Sequence, residues 1–149
     1  MRLKIISQNA KETQKIAFIL GQAIRKEKGR RTARVIALEG NLGSGKTIFT
    51  QGLAKGLKVK GRVLSPTFIL MRPHQLGKFQ GCFYHIDSYR LKGETDLLNL
   101  DFETIFKEPK NIIVIEWPGR VKKILPQDAI WIKFKIIGKL KREISFLIK

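Results

Sequence analysis

The chain has 149 residues, of which 43% are hydrophobic; this is enough for a buried core, and the expectation is one domain over 1–149. It contains no run of 18 uncharged apolar residues, and "MRLKIISQNAKETQK" lacks an apolar stretch ending in a small-residue cleavage site, which points to a soluble, unexported, cytoplasmic protein without membrane contact. Thirty Lys and Arg against twelve Asp and Glu give a formal charge of +18, a positive field that favours polyanionic or acidic partners.

In chain order, "RLKII" reads as a short strand and leads to a helix from about Ala10 to Lys26. Ile16, Leu20 and Ala23/Ile24 recur there at helical spacing, and Ser7 or Asn9 stands where a cap is needed. The densest basic cluster, "RKEKGRRTAR" from Arg25 to Arg34, falls in a predicted loop. Its charge suits RNA phosphates or an acidic protein, and equally a solvated face, since scattered lysines such as those of "KLKREISFLIK" produce the same overall balance without any ligand.

"ARVIALEG" reads as a buried strand running into "GNLGSGKT", with "TIFTQGLAKGL" as the helix after it. Gly40, Gly45, Lys46 and Thr47 match G-x-x-x-x-G-K-[ST] in full, with Gly43 as an extra glycine. Glycines let the backbone take positive φ and bring N–H groups close to phosphate oxygens, and the following helix adds its N-terminal dipole. Lys46 supplies a point charge for the β and γ phosphates, and Thr47 a hydroxyl for Mg²⁺. The nucleotide-binding run is therefore Gly40, Asn41, Leu42, Gly43, Ser44, Gly45, Lys46, Thr47 and Ile48, a site for a nucleotide with Mg²⁺.

Beyond it, "RVLSPTFILMR" contains two short extended pieces joined at Ser65-Pro66, and Thr67 places a hydroxyl where switch loops sense a γ-phosphate. "GCFYHIDSYRL" alternates as a strand, with His85 and Asp87 on one face and Cys82 as a buried strand residue. Cys82 is the sole cysteine, so no disulfide forms within the chain, and His74 and His85 are too few to complete a zinc site with it. "GETDLLNLDFETIF" is amphipathic and reads as helix. "NIIVIEW" is apolar enough for a strand buried on both faces, and "DAIWIKFKII" with "REISFLIK" reads as an antiparallel hairpin around Gly138. The expected fold is a three-layer α/β P-loop NTPase, its mixed central sheet gaining an antiparallel C-terminal hairpin.

A Mg²⁺ site in such folds needs a carboxylate ending a second buried strand, and Glu116 and Asp87 compete for that place. Glu116 ends the more apolar strand and is chosen for the metal. Asp87 is then available to orient or deprotonate a water, with His85 beside it; capping a turn or pairing with Arg90 is the structural alternative. His85 equally suits a packed strand histidine, and Trp117 either an aromatic lid or core.

In order, "EGNLGSGKTIFTQGLAKGL", "VLSPTF", "YHIDSYRL", "IIVIEWPGR" and "ILP" resemble the TsaE/YjeE ATPase family of bacteria, the P-loop subunit of the machinery that makes threonylcarbamoyladenosine next to the tRNA anticodon. The resemblance runs from the N-terminal helix to about Arg142. It implies a weak Mg-dependent ATPase acting with TsaB and TsaD subunits. It places the metal ligands on Thr47 and Glu116, the switch on Ser65, Pro66 and Thr67, and the histidine-x-aspartate on His85 and Asp87. It also matches nucleotide contacts to Trp117 and to Thr13 in the first helix, and makes Lys46, Asp87 and Thr67 the catalytic set. Asn41 departs from the family's usual aspartate, Asp101 stands where glycine is common, and the positive charge is high. The rivals are a small-molecule or nucleoside kinase, for which no arginine-rich lid or acceptor insertion is evident after Thr47, and a nucleotide-sensing RNA-binding module, which the basic loop would serve.

Overall fold

A computed structural model describes residues 1–64, 70–76 and 81–148. Strands β1 (Arg2–Ser7), β2 (Arg34–Glu39), β3 (Met71–Gln75), β4 (Cys82–Asp87), β5 (Ile112–Glu116), β6 (Ile130–Ile136) and β7 (Arg142–Leu147) form one sheet in the order β1-β7-β6-β2-β5-β4-β3. β6, β2, β5 and β4 run parallel, while β7 is antiparallel to both β6 and β1, and β3 is antiparallel to β4. The mixed α/β fold and the C-terminal hairpin thus match the sequence reading. Parallel pairing sends the C-terminal ends of β2, β4, β5 and β6 to one end of the sheet, and the end of β1 lies there as well.

Helices α1 (Ala10–Arg25) and α2 (Lys46–Gly56) cover one face, and α3 (Glu94–Leu98), α4 (Phe102–Lys107) and a 3₁₀ segment, Pro118–Ile124, the other. β5 carries the layering in its sequence: Ile112 and Val114 join the core under α1 and α2, Ile113 and Ile115 the core under α3 and α4. Alternation of side chains is the cause, and an apolar residue at every position is its consequence.

Asn9, not Ser7, caps α1, its Oδ1 accepting from the Glu12 N–H at 2.9 Å. α1 lies close against α2 because Gly52 and Gly56 let the backbones meet: a Cβ on Gly52 would collide with the Gln14 carbonyl, one on Gly56 with that of Phe18. The close approach seats the start of α1 beside the loop that precedes α2.

Three expectations change in detail. "GETDLLNLDFETIF" is two short helices rather than one, broken where Asp101 takes a left-handed φ of 64°. That is the position where the resembled family commonly has glycine, the residue that adopts this geometry without steric cost. Cys82 opens β4 but is half-buried, because β4 emerges toward solvent at its first residue. Of the two extended pieces foreseen around Ser65-Pro66, the second starts β3 at Met71, whereas residues 62–64 belong to no strand. Ser65, Pro66 and Thr67 lie outside the described residues. No helix among the described residues is long and apolar enough to cross a membrane.

Candidate nucleotide site

The loop between β2 and α2 takes the shape its glycines permit, with φ of 77° at Gly43 and 102° at Gly45. A cavity of about 620 Å³ opens over it, lined by Leu42 to Ile48 from the loop and the first turn of α2. Asp87 and Glu116 enter the same cavity from the ends of β4 and β5. These two carboxylates are register partners across the parallel pair, which puts them side by side although 29 positions separate them in sequence. Gly40 and Asn41 lie behind the loop, against a neighbouring cleft of about 770 Å³ that shares Ser44 and Trp117 with the first.

Lys46 is 5% exposed and turns back onto its own loop, donating to the carbonyl oxygen of Gly40 and, at 3.5 Å, to that of Asn41. Its ammonium also lies 4.1 Å from the centre of the Trp117 ring. Burial lowers the Lys46 pKa from the ordinary lysine value, against the opposing pull of Glu116 and then Asp87. The lysine is thereby held in a desolvated pocket with two carboxylates near it, ready to exchange carbonyl partners for phosphate oxygens.

Trp117 therefore walls the cavity instead of filling the core. Its φ of 57° is rare for a bulky side chain and turns the chain sharply out of β5, so that the ring faces the loop. Tyr89 supports it from the other side, ring centres 5.1 Å apart.

His85 lies on the same face of β4 as Asp87, two residues before it, and its Nε2 donates to Glu116 Oε2 at 3.0 Å. His85 is opposite Val114 in the β4–β5 register, and Glu116, two residues further on, is its diagonal neighbour on the same face. The fully buried histidine thus orients the carboxylate proposed for the metal. Asp87 caps a turn, Oδ1 accepting from the Tyr89 N–H at 2.9 Å, while still bordering the cavity.

Thr13 borders the cavity from α1, its Cγ2 4.0 Å from where a Cβ on Gly45 would stand, and its hydroxyl shares a 2.7 Å hydrogen bond with Ser7 Oγ. Ala10, Tyr89, Leu140 and Arg142 complete the walls and went unnoticed in the sequence. The signal for the last two was topological: a hairpin after a strand parallel to β2 must turn at the phosphate-loop end.

The donor set fits Mg²⁺ brought in with a nucleotide. Among the described residues no group of three or more His, Cys, Asp or Glu could hold a metal, so protein atoms alone do not make a cage. Thr47 and Glu116, which border one cavity, would supply one hydroxyl and one carboxylate, and phosphate oxygens and water the rest, as is usual for this ion.

The family model described as "Threonylcarbamoyl adenosine biosynthesis protein TsaE" matches residues 7–144. This chain belongs to the TsaE family. It is similar to the tRNA threonylcarbamoyladenosine biosynthesis protein TsaE of Bacillus subtilis, 34% identical over 97% of this chain and 85% of that one. The TsaE of Treponema pallidum is 31% identical over 96% of this chain and 98% of its own length. The crystal structure of B. subtilis YdiB superposes with a TM-score of 0.76 at 29% identity, covering 99% of this chain and 86% of that one. In this TsaE family member the basic Arg25–Arg34 cluster is partly neutralised: Arg34 pairs with Glu27 at 2.6 Å, and Arg30 with Asp128 at 2.9 Å. Lys26, Lys28 and Arg31 remain exposed, at the N-terminal end of β2 and so at the end of the sheet remote from the phosphate loop.

Proposed function

We propose that this chain binds and slowly hydrolyses ATP with Mg²⁺ as a subunit of tRNA threonylcarbamoyladenosine biosynthesis, acting in the cytoplasm with TsaB- and TsaD-type partners. Residues 1–149 act as one P-loop ATPase domain. The observation that carries the reading is Lys46, desolvated at the N-terminus of α2 and facing Glu116 and Asp87.

The loop N–H groups and Lys46 hold the β and γ phosphates and neutralise the charge that develops as water attacks in line. Thr47 and Glu116 would hold Mg²⁺, which would supply charge stabilisation at the phosphate oxygens. Asp87, fixed by the Tyr89 N–H, orients the water and accepts its proton, and Thr67 senses the γ-phosphate from the 65–69 segment. Thr13 and Trp117 contact the nucleotide from α1 and the end of β5. tRNA is met through Lys26, Lys28 and Arg31, which are exposed and are carried by the end of the sheet that leaves the nucleotide free.

A reconstitution tests this: ATPase rate and modified tRNA are measured with and without the two partner subunits. Slow hydrolysis alone, and tRNA modification that requires both this chain and ATP, are expected. Rapid phosphoryl transfer to a small acceptor would instead identify a kinase.

A further inference from the structure

The end of the sheet remote from the phosphate loop holds a cavity of its own. It measures about 460 Å³ and lies where the C-terminal ends of α1 and α2 meet the N-terminal ends of β2 and β5. Ile24, Leu57, Leu76 and Ile112 give it an apolar lining. Its charged lining is unbalanced, with Arg25, Lys28, Arg30, Arg34 and Lys110 against the single carboxylate of Glu27. Two of these arginines are largely buried and held in place. Arg34 donates from Nε and Nη2 to Glu27 Oε2 and Oε1, at 3.0 and 2.6 Å, and from Nη1 to the Asp128 carbonyl at 2.9 Å. Arg30 donates to the carbonyls of Thr32 at 3.2 Å and Ala33 at 3.1 Å, and to Asp128 Oδ2 at 2.9 Å. These bonds occupy the edges of both guanidinium groups, so that what they offer a ligand is a planar face. An adjoining cleft of about 570 Å³ shares Lys28 and Arg30 with the cavity and adds Arg31.

We propose that this cavity takes one unstacked base of a single-stranded RNA segment, with the phosphates on either side of that base on Lys28 and Arg31. The inference rests on the tRNA contact proposed above and adds that a base is held there as well as the backbone. Three features converge on it. Aliphatic side chains and fixed guanidinium faces suit the two faces of a planar ring, which is how splayed-out RNA bases are commonly held, and covering the apolar lining from water is favourable. An acidic peptide would answer the same excess of positive charge, but Glu27 and Asp128 already take the arginine edges that its carboxylates would need. The cavity also lies at the start of β2 and the phosphate loop at its end, so RNA and a nucleotide can be bound together.

The test is fluorescence anisotropy on the whole chain at low salt, with and without Mg-ADP, using two labelled probes: hexauridylate and a hexamer of abasic nucleotides with the same number of phosphates. Hexauridylate should bind about tenfold more tightly, the difference being the held base, and Mg-ADP should not change either affinity. Lys28→Ala should weaken both probes alike, through a phosphate. Arg34→Lys and Arg30→Lys keep the charge and remove the planar face, so each should shrink the difference between the probes and leave the abasic hexamer unchanged; thermal melting checks that both variants are folded. Equal affinity for the two probes would overturn the base pocket and leave the tRNA contact standing, whereas binding of neither would reject both. Displacement of hexauridylate by Mg-ADP would put the RNA at the phosphate loop instead. A peptide of alternating Glu and Leu that binds more tightly than hexauridylate would overturn the proposal in favour of an acidic protein segment.

Discussion

Replacing Gly52 by Ala sets two effects of opposite sign against each other. Alanine in a helix interior is favoured over glycine by about 1 kcal/mol, and α2 on its own would gain that much. At this position, however, the new Cβ would stand 2.8 Å from Gln14 Cα and 3.0 Å from its carbonyl carbon, besides striking the carbonyl oxygen. Carbon atoms rest at roughly 3.5–4.0 Å, so α1 would have to retreat by about 1 Å along its contact with α2. Overpacking of this kind costs about 1–3 kcal/mol, and because the obstruction is backbone, no side-chain rotation relieves it. The net expectation is a loss of up to about 2 kcal/mol, read as a lower urea midpoint with unchanged slope. ADP affinity should fall with it, because Thr13, one residue before Gln14, moves off the loop. A variant stabilised by about 1 kcal/mol would refute the close-contact argument and leave helix propensity as the governing term.

His85→Ala should cost about 1.5–3 kcal/mol in unfolding free energy, since Glu116 would stay buried without its donor, and should reduce the Mg²⁺-dependent part of ADP affinity, measured by titrations with and without the ion. Asp101→Gly should stabilise the chain by roughly 0.5–1 kcal/mol in urea unfolding by relieving the left-handed backbone; a loss would mean that the carboxylate makes a contact of greater worth. Lys46→Ala should abolish detectable Mg-ATP binding in calorimetry while the thermal midpoint shows the fold intact. Lys28→Ala with Arg31→Ala should weaken tRNA binding and make the slope of log K against log salt shallower by about 2, whereas an unchanged slope would place the tRNA elsewhere.

The phosphate loop was legible because its chemistry is local. Glycine spacing, Lys46 and Thr47 act within one turn of chain, and the strand before and helix after them announce themselves by periodicity. β5 was legible for a related reason, since burial on both faces writes an apolar residue at every position. What depended on register was not. His85 and Asp87 sit two apart on one strand, yet one hydrogen-bonds across to Glu116 and the other to the Tyr89 N–H, and only the β4–β5 alignment separates them. Leu140 and Arg142 carried no motif, because their place depends on which way β6 runs beside β2. Helical periodicity across 93–106 was real, but it could not reveal that Asp101 interrupts the backbone.

The backward turn of Lys46 gives the loop an occupant of its own. With two carbonyl oxygens and an indole ring to rest on, the ammonium is solvated by protein. Any phosphate that enters must compete with partners tethered to the same chain, at an effective concentration no free ligand matches. On the function proposed above, the loop would work against its own affinity, lowering its grip on the product of hydrolysis as much as on the substrate and leaving the lysine with somewhere to go.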